Sequence, residues 1–176
     1  TPRSSSAASD VYKRQEFDLV MSPIESIDLA ISGLFMDPIY DSFPNSSAGD
    51  LTGTMPSNVS KDTISSTVTW NWNVNNWDGY FRLSHLYASE AKMLENPAWQ
   101  AILEAAGNGI KTQDTLNFSA GIEKDNLSIM LWGKNINDDK YLISAFPAVA
   151  DPTFTTFFGY PNAYSSYGLT AVSYTH

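Results

Sequence analysis

The side chains able to do chemistry are few and scattered along the chain. His85 and His176 are its histidines, so a Ser-His-Asp triad or a histidine-based zinc site has almost no raw material. His85 falls among apolar neighbours and reads as a packed or interfacial residue. Asn137-Asp138-Asp139 offers clustered oxygens, but a calcium loop needs six or more of them, plus a central glycine and a terminal Glu that are missing here. A turn is the better reading. Asp37, Asp41 and Asp50 fall within one polar stretch and could supply an acid pair, although solvated loop carboxylates are the ordinary case. With no cysteine, thiolate metal sites and disulfides are excluded. The residues therefore point to no catalytic group, no cofactor and no metal site.

Bulk properties set the class. The net charge is −9 and no Lys/Arg cluster occurs, which argues against nucleic acid because phosphate neutralisation needs a basic patch. Charged residues are 16% of the chain, against roughly 25% in soluble domains, while 43% is apolar and 13% aromatic. That mixture suits a protein with one apolar and one wet polar side. No apolar run reaches the ~18 residues of a membrane helix, whereas a β-barrel wall stays open because alternation dilutes its signal.

The alternation is present. Phe17, Leu19 and Met21 begin it, and Ile27, Leu29, Ile31, Gly33 and Phe35 repeat it over about 10 residues, the length of a tilted membrane strand. Ile64, Val68, Trp70 and Trp72 form a third run. The fourth, Phe81, Leu83 and Tyr87, is disturbed by His85 on its apolar side and Leu86 on its polar side. Leu116, Phe118, Ala120 and Ile122 form the clearest run, followed by Leu127, Ile129 and Leu131 and then Tyr167, Leu169 and Ala171. Seven strands result. The stretches 37–62, 89–112 and 138–163 are long connections, and the others are tight turns. In the second, Asn96 can cap a short helix with Pro97 at its first position and Gly107 just past its end. Connections thus run short, long, short, long, short, long, as in an up-and-down membrane barrel with tight turns at one rim and long loops at the other. Trp70, Trp72, Trp77, Tyr80 and Trp132 cluster near strand ends, where an aromatic girdle would lie.

One stretch carries a family resemblance. Trp132-Gly133, Asn135-Ile136, Asp138 and Tyr141 match a late strand of TonB-dependent outer-membrane receptors: aromatic, Gly, any, Asn, aliphatic, any, Asp, any, any, Tyr. Gly53-Thr54-Met55-Pro56 resembles the segment before another late strand of that family, and Ser166 to Thr170 its final strand. Two departures stand out: Tyr164-Ser165 occupies the place of a common Pro-Arg, and the terminal aromatic is absent. The resemblance spans residues 16–171 and implies an all-β fold, a partial antiparallel up-and-down transmembrane β-barrel. Its seven strands would belong to a barrel of about 22 around a plug. It also implies a place in the bacterial outer membrane among its lipids, import of a small-molecule ligand such as a siderophore, cobalamin or glycan, and TonB coupling through an N-terminal part not in this sequence. On that reading Trp132, Gly133, Asn135, Asp138 and Tyr141 are structural, and the loop aromatics Phe154, Phe157, Phe158 and Tyr160 are candidate ligand contacts.

Residues 1–15 and 172–176 share neither pattern nor composition with the rest and resemble translated sequencing-adapter read-through, so both are expected to be non-native tails. The competing expectation for the whole is a secreted β-sandwich that binds carbohydrate through exposed Trp and Tyr, with two packed sheets.

Overall fold

The computed structural model describes residues 9–174. Nine strands and one helix follow in order: β1 Ser9–Ile24, β2 Ile27–Ser42, β3 Asp62–Val74, β4 Trp77–Lys92, α1 Pro97–Ala105, β5 Ile110–Lys124, β6 Leu127–Lys134, β7 Leu142–Pro147, β8 Phe157–Pro161 and β9 Ser166–Ser173. Seven of the strands form one antiparallel sheet in the order β1-β2-β3-β4-β5-β6-β9, a meander whose neighbours are consecutive except where β7 and β8 form a separate hairpin. This is a piece of up-and-down barrel wall. Among the described residues, β1 and β9 each leave one edge without a partner strand.

Register explains why the alternation matters. Partners lie directly opposite and share a face, so Leu29, Val68, Leu83, Phe118 and Gly133 run across five strands on one side. The other side carries Ala30, Thr67, Ser84, Asn117 and neighbouring polar residues. The apolar face is open: Leu19, Trp70, Leu131 and Leu169 are each about half exposed or more, Leu169 at 70%. No second sheet covers it among the described residues, so the two packed sheets of a sandwich are not formed. Every buried apolar side chain, including Leu51, Met93, Leu103 and Ala145, lies instead at the end of the sheet that carries the long connections.

The tight turns need left-handed backbone. Asn75 and Asn76, at φ 52° and 63°, join β3 to β4, and Asp125, at φ 53°, helps join β5 to β6; primed two-residue turns match the twist of paired strands and favour Asn and Asp. In β4 the alternation runs through His85 without a slip: Phe81, Leu83, His85 and Tyr87 share the apolar face, and the irregularity falls later, between Ala88 and Ala91.

Several boundaries move. β2 does not end at Phe35 but continues to Ser42, so Asp37 and Asp41 lie in a strand and the first long connection shrinks to 43–61. Pro38 is tolerated there because β3 pairing begins at Phe35↔Asp62, leaving the β3 side beyond it without a ladder. The third connection is not loop throughout, since β7 and β8 pair within it. β1 runs back to Ser9 and β9 on to Ser173, through residues whose composition set them apart; residues 1–8, 175 and 176 lie outside the described ones.

Candidate functional site

The long-connection end forms a small folded unit of its own. Helix α1 starts where Asn96 accepts from the N–H groups of Ala98 and Trp99 at 3.0 and 3.3 Å, with Pro97 next, and ends before Gly107 at φ 76°. Gln100 is buried at 7% and fully used: Oε1 accepts from Met93 and Leu94, and Nε2 donates to the Gly109 carbonyl and to Glu104. Buried amides left unpaired are costly, so this one residue fixes both ends of the loop to the helix. Met93, Leu103 and Ala145 pack together, with Leu94, Leu142 and Phe157 against them. The core of the unit therefore joins α1 to the β7–β8 hairpin.

Two carboxylates knot the loops. Glu95 accepts from the Ser57 N–H and the Tyr40 hydroxyl and pairs with Lys92 at 3.4 Å. Burial acts to raise its pKa, but the bonds from Ser57, the Lys92 charge and the Tyr40 hydroxyl outweigh it, and the carboxyl sits below its ordinary value. The Asn58 N–H donates to the Lys92 carbonyl beside it, so residues 43–61 and 93–109 are clasped. Asp151 accepts from the backbone and hydroxyl of Thr153, the backbone and hydroxyl of Thr155, and the backbone of Thr156. The bonds from Thr153, then those from Thr156, hold its carboxyl well below the usual range. It ties off the β7–β8 loop.

The four loop aromatics separate by face. Phe154, at φ 51°, stacks on Trp99 of α1 with centroids 5.5 Å apart. Phe157 lies opposite Pro147 and packs into the small core. Phe158 and Tyr160 point the other way and remain 56% and 59% exposed, with Phe146 between them at centroid distances of 5.6 and 5.8 Å. Phe146 thus belongs with Phe158 and Tyr160, while Phe154 and Phe157 serve internal packing. Sequence alone did not single out Phe146; its signal is the pairing of β7 with β8, which aligns it opposite Phe158.

The motif residues sit at the exit of β6. The Trp132 ring covers Gly168 on β9 and Lys134 lies 5.5 Å from its centroid; the Phe118 ring covers Gly133 from β5. Beyond Lys134 the strand stops, yet β5 continues, and the motif's side chains take over its ladder. Asn137 Oδ1 accepts from the Leu116 N–H at 3.0 Å, and Asp139 Oδ2 from the Asp114 N–H at 2.7 Å. The Asn137 amide donates to the Asp114 carbonyl, and the Ile136 N–H to the Leu116 carbonyl. Asn135, at φ 49° and 4% exposed, receives Asp139's N–H and donates to the carbonyls of Asp139 and Ala163. Asp138 pairs with Lys140 at 2.8 Å, and its carboxyl lies below the ordinary value chiefly because of that bond. Tyr141 bonds Thr115, while burial and then the Asp139 charge push its hydroxyl up.

The other sequence candidates do not assemble. His85 pairs with Asp114 at 2.6 Å on the apolar face. Asp37 pairs with Lys61, and Asp50 bonds Thr52, which lowers its carboxyl. Among the described residues no three metal-binding side chains converge.

Fold and site together define a stretch of barrel wall that carries a folded loop cluster at one rim. The chain resembles in structure the ferric yersiniabactin uptake receptor FyuA from Yersinia pestis, with a TM-score of 0.73 at 13% identity, over 96% of this chain and 24% of that one. It spans about a quarter of that receptor's length. No family model and no curated protein sequence matches it.

Proposed function

We propose that this chain is a wall segment, near the C-terminal end, of a TonB-dependent outer-membrane receptor that imports a scarce small molecule. The observation that carries the reading is the sheet's division of labour. One face is apolar through seven strands with no core behind it, the opposite face is polar, and the buried side chains gather at the long-loop rim. Lipid is the medium that stabilises such a face, since each exposed strand residue on it would otherwise meet water. The polar face would then line the lumen and the loop cluster would lie at the outer surface, where ligand arrives.

The Trp132 to Tyr141 motif supports the family assignment, and the structural likeness to an uptake receptor supports transport rather than catalysis. Siderophore, cobalamin and glycan are the ligand classes the family offers. Residues 16–171 are the receptor portion on this reading, and 1–15 and 172–176 are non-native tails. TonB contact would fall to the N-terminal part.

The test uses the complete protein that contains this segment. It should sediment with outer membranes, resist carbonate extraction and show the heat-dependent gel mobility of a closed barrel. Recovery in the soluble fraction would overturn the reading and leave the sandwich alternative.

A further inference from the structure

A cleft of about 390 Å³ lies between α1 and the β7–β8 hairpin. Its walls are Ile102, Leu103, Leu142, Ala145, Phe157 and Phe158, and no charged side chain lines it. Ligand sites of such size are mostly apolar with a few polar groups that fix orientation. Here the polar groups are Asn108 and Thr155. The Thr155 hydroxyl is taken up by Thr153 and Asp151. Asn108 donates its amide to the Ala106 carbonyl, and among the described residues its side-chain oxygen has no partner. The nearby helix carboxylate, Glu104, is engaged by Gln100.

We propose that this cleft binds an uncharged aromatic ring bearing a hydrogen-bond donor, the ring lying against Phe158 and the donor meeting Asn108 Oδ1. The absence of charge disfavours a carboxylate, phosphate or ammonium group, which would lose its hydration with nothing to replace it. The aliphatic walls and a single acceptor disfavour a sugar, whose several hydroxyls would go unpaired. A flat ring fits both conditions. Rigid mounting favours it too: Gln100 and the Met93–Leu103–Ala145 core fix one wall, and the Asp151 knot fixes the tip of the other. The exposed rings of Phe146 and Tyr160 continue from Phe158 and give the ligand an aromatic approach.

This inference rests on the loop cluster facing the ligand side of a receptor, and its test is separable from that reading. The complete protein in lipid nanodiscs is titrated with 5-fluoroindole and followed by the fluorine line width. Wild type should broaden the line. Ala106→Trp, which fills the cleft from an exposed helix end, should abolish the broadening with unchanged heat-dependent gel mobility. Asn108→Ala should weaken binding by about fivefold, the loss of one hydrogen bond, and Phe158→Ala, on the exposed wall, should weaken it as well. Equal broadening in wild type and Ala106→Trp would overturn the proposal, as would displacement by methyl β-glucoside. Outer-membrane location is measured independently, so failure here leaves the receptor reading standing.

Discussion

The Phe118 ring of β5 lies across Gly133 of β6, its directly opposite partner, so closely that a Cβ on Gly133 would come within 2.4 Å of the ring. The same arrangement recurs at Phe17/Gly33, Trp72/Gly79, Tyr80/Gly121 and Trp132/Gly168, each a registered cross-strand pair. An aromatic folded over glycine covers backbone that would otherwise be bare and pins the register. The aromatic-glycine step of the motif is therefore a packing device on both sides, Trp132 reaching one neighbour and Gly133 receiving the other. Gly133→Val is expected to destabilise the assembled wall by about 1–3 kcal/mol through overpacking. Phe118→Ala added to it should recover part of the loss. Urea titration of the heat-dependent mobility shift measures both, and additive losses would refute the pairing as the cause.

Asn137 and Asp139 act as strand substitutes for β5. Asn137→Ala removes the acceptor of the Leu116 N–H and the donor to the Asp114 carbonyl. A cost of about 1 kcal/mol per lost bond corresponds to about fivefold faster amide exchange at Leu116. Hydrogen exchange read by mass spectrometry should place the change at residues 110–117 and leave the paired stretch around Ile122 protected. An unchanged rate at Leu116 would mean that water already satisfies this edge.

How much of this was legible follows from where side chains alternate. The seven wall strands showed themselves because each has one face in a different medium, and a two-residue period needs only that contrast. Beyond the rim it disappears: β2 past Phe35 is paired with β1 alone, carries Pro38 and reads as loop. β7 and β8 are short, each ending in proline, and were hidden for the same reason. Within the site, Phe157 and Phe158 are identical in type and adjacent, and only the Pro147↔Phe157 register decides which one packs inward. The cleft joins α1 residues near 102–108 to hairpin residues near 142–159, a tertiary proximity that no local pattern encodes.

Glu95 gives the loop cluster a pH dependence. Its folded pKa lies below its ordinary value of 4.5. A depressed carboxyl contributes stability that is present above the unfolded value and lost as pH falls through the folded one. The clasp between residues 43–61 and 93–109 should accordingly hold from neutrality to about the ordinary carboxylate range and loosen below it. Limited proteolysis with pepsin across falling pH should cut first within 43–61. Glu95→Gln, which keeps the shape and removes the charge, should be cut faster than wild type at neutral pH with a neutral protease. Identical cleavage of the two proteins would assign the clasp to the Asn58 bonds instead.

The two faces of the sheet should respond oppositely to charge. Leu83 and Ser84 are adjacent in β4, yet register puts Leu83 beside Val68 and Phe118 and Ser84 beside Thr67 and Asn117. Arginine at mid-depth on the lipid side of a barrel costs about 2–4 kcal/mol, because its guanidinium must reach water past the hydrocarbon. Leu83→Arg should therefore lower the fraction of complete protein that folds into bilayers by well over tenfold. Ser84→Arg, facing a wet surface that already carries Arg82, should fold nearly as well as wild type. The adjacency of the two positions controls for helix or strand propensity, for local backbone geometry and for position along the strand, so only the medium differs. Equal losses at both positions, or a larger loss at Ser84, would mean that the apolar face does not meet lipid, and the receptor reading would fall with it.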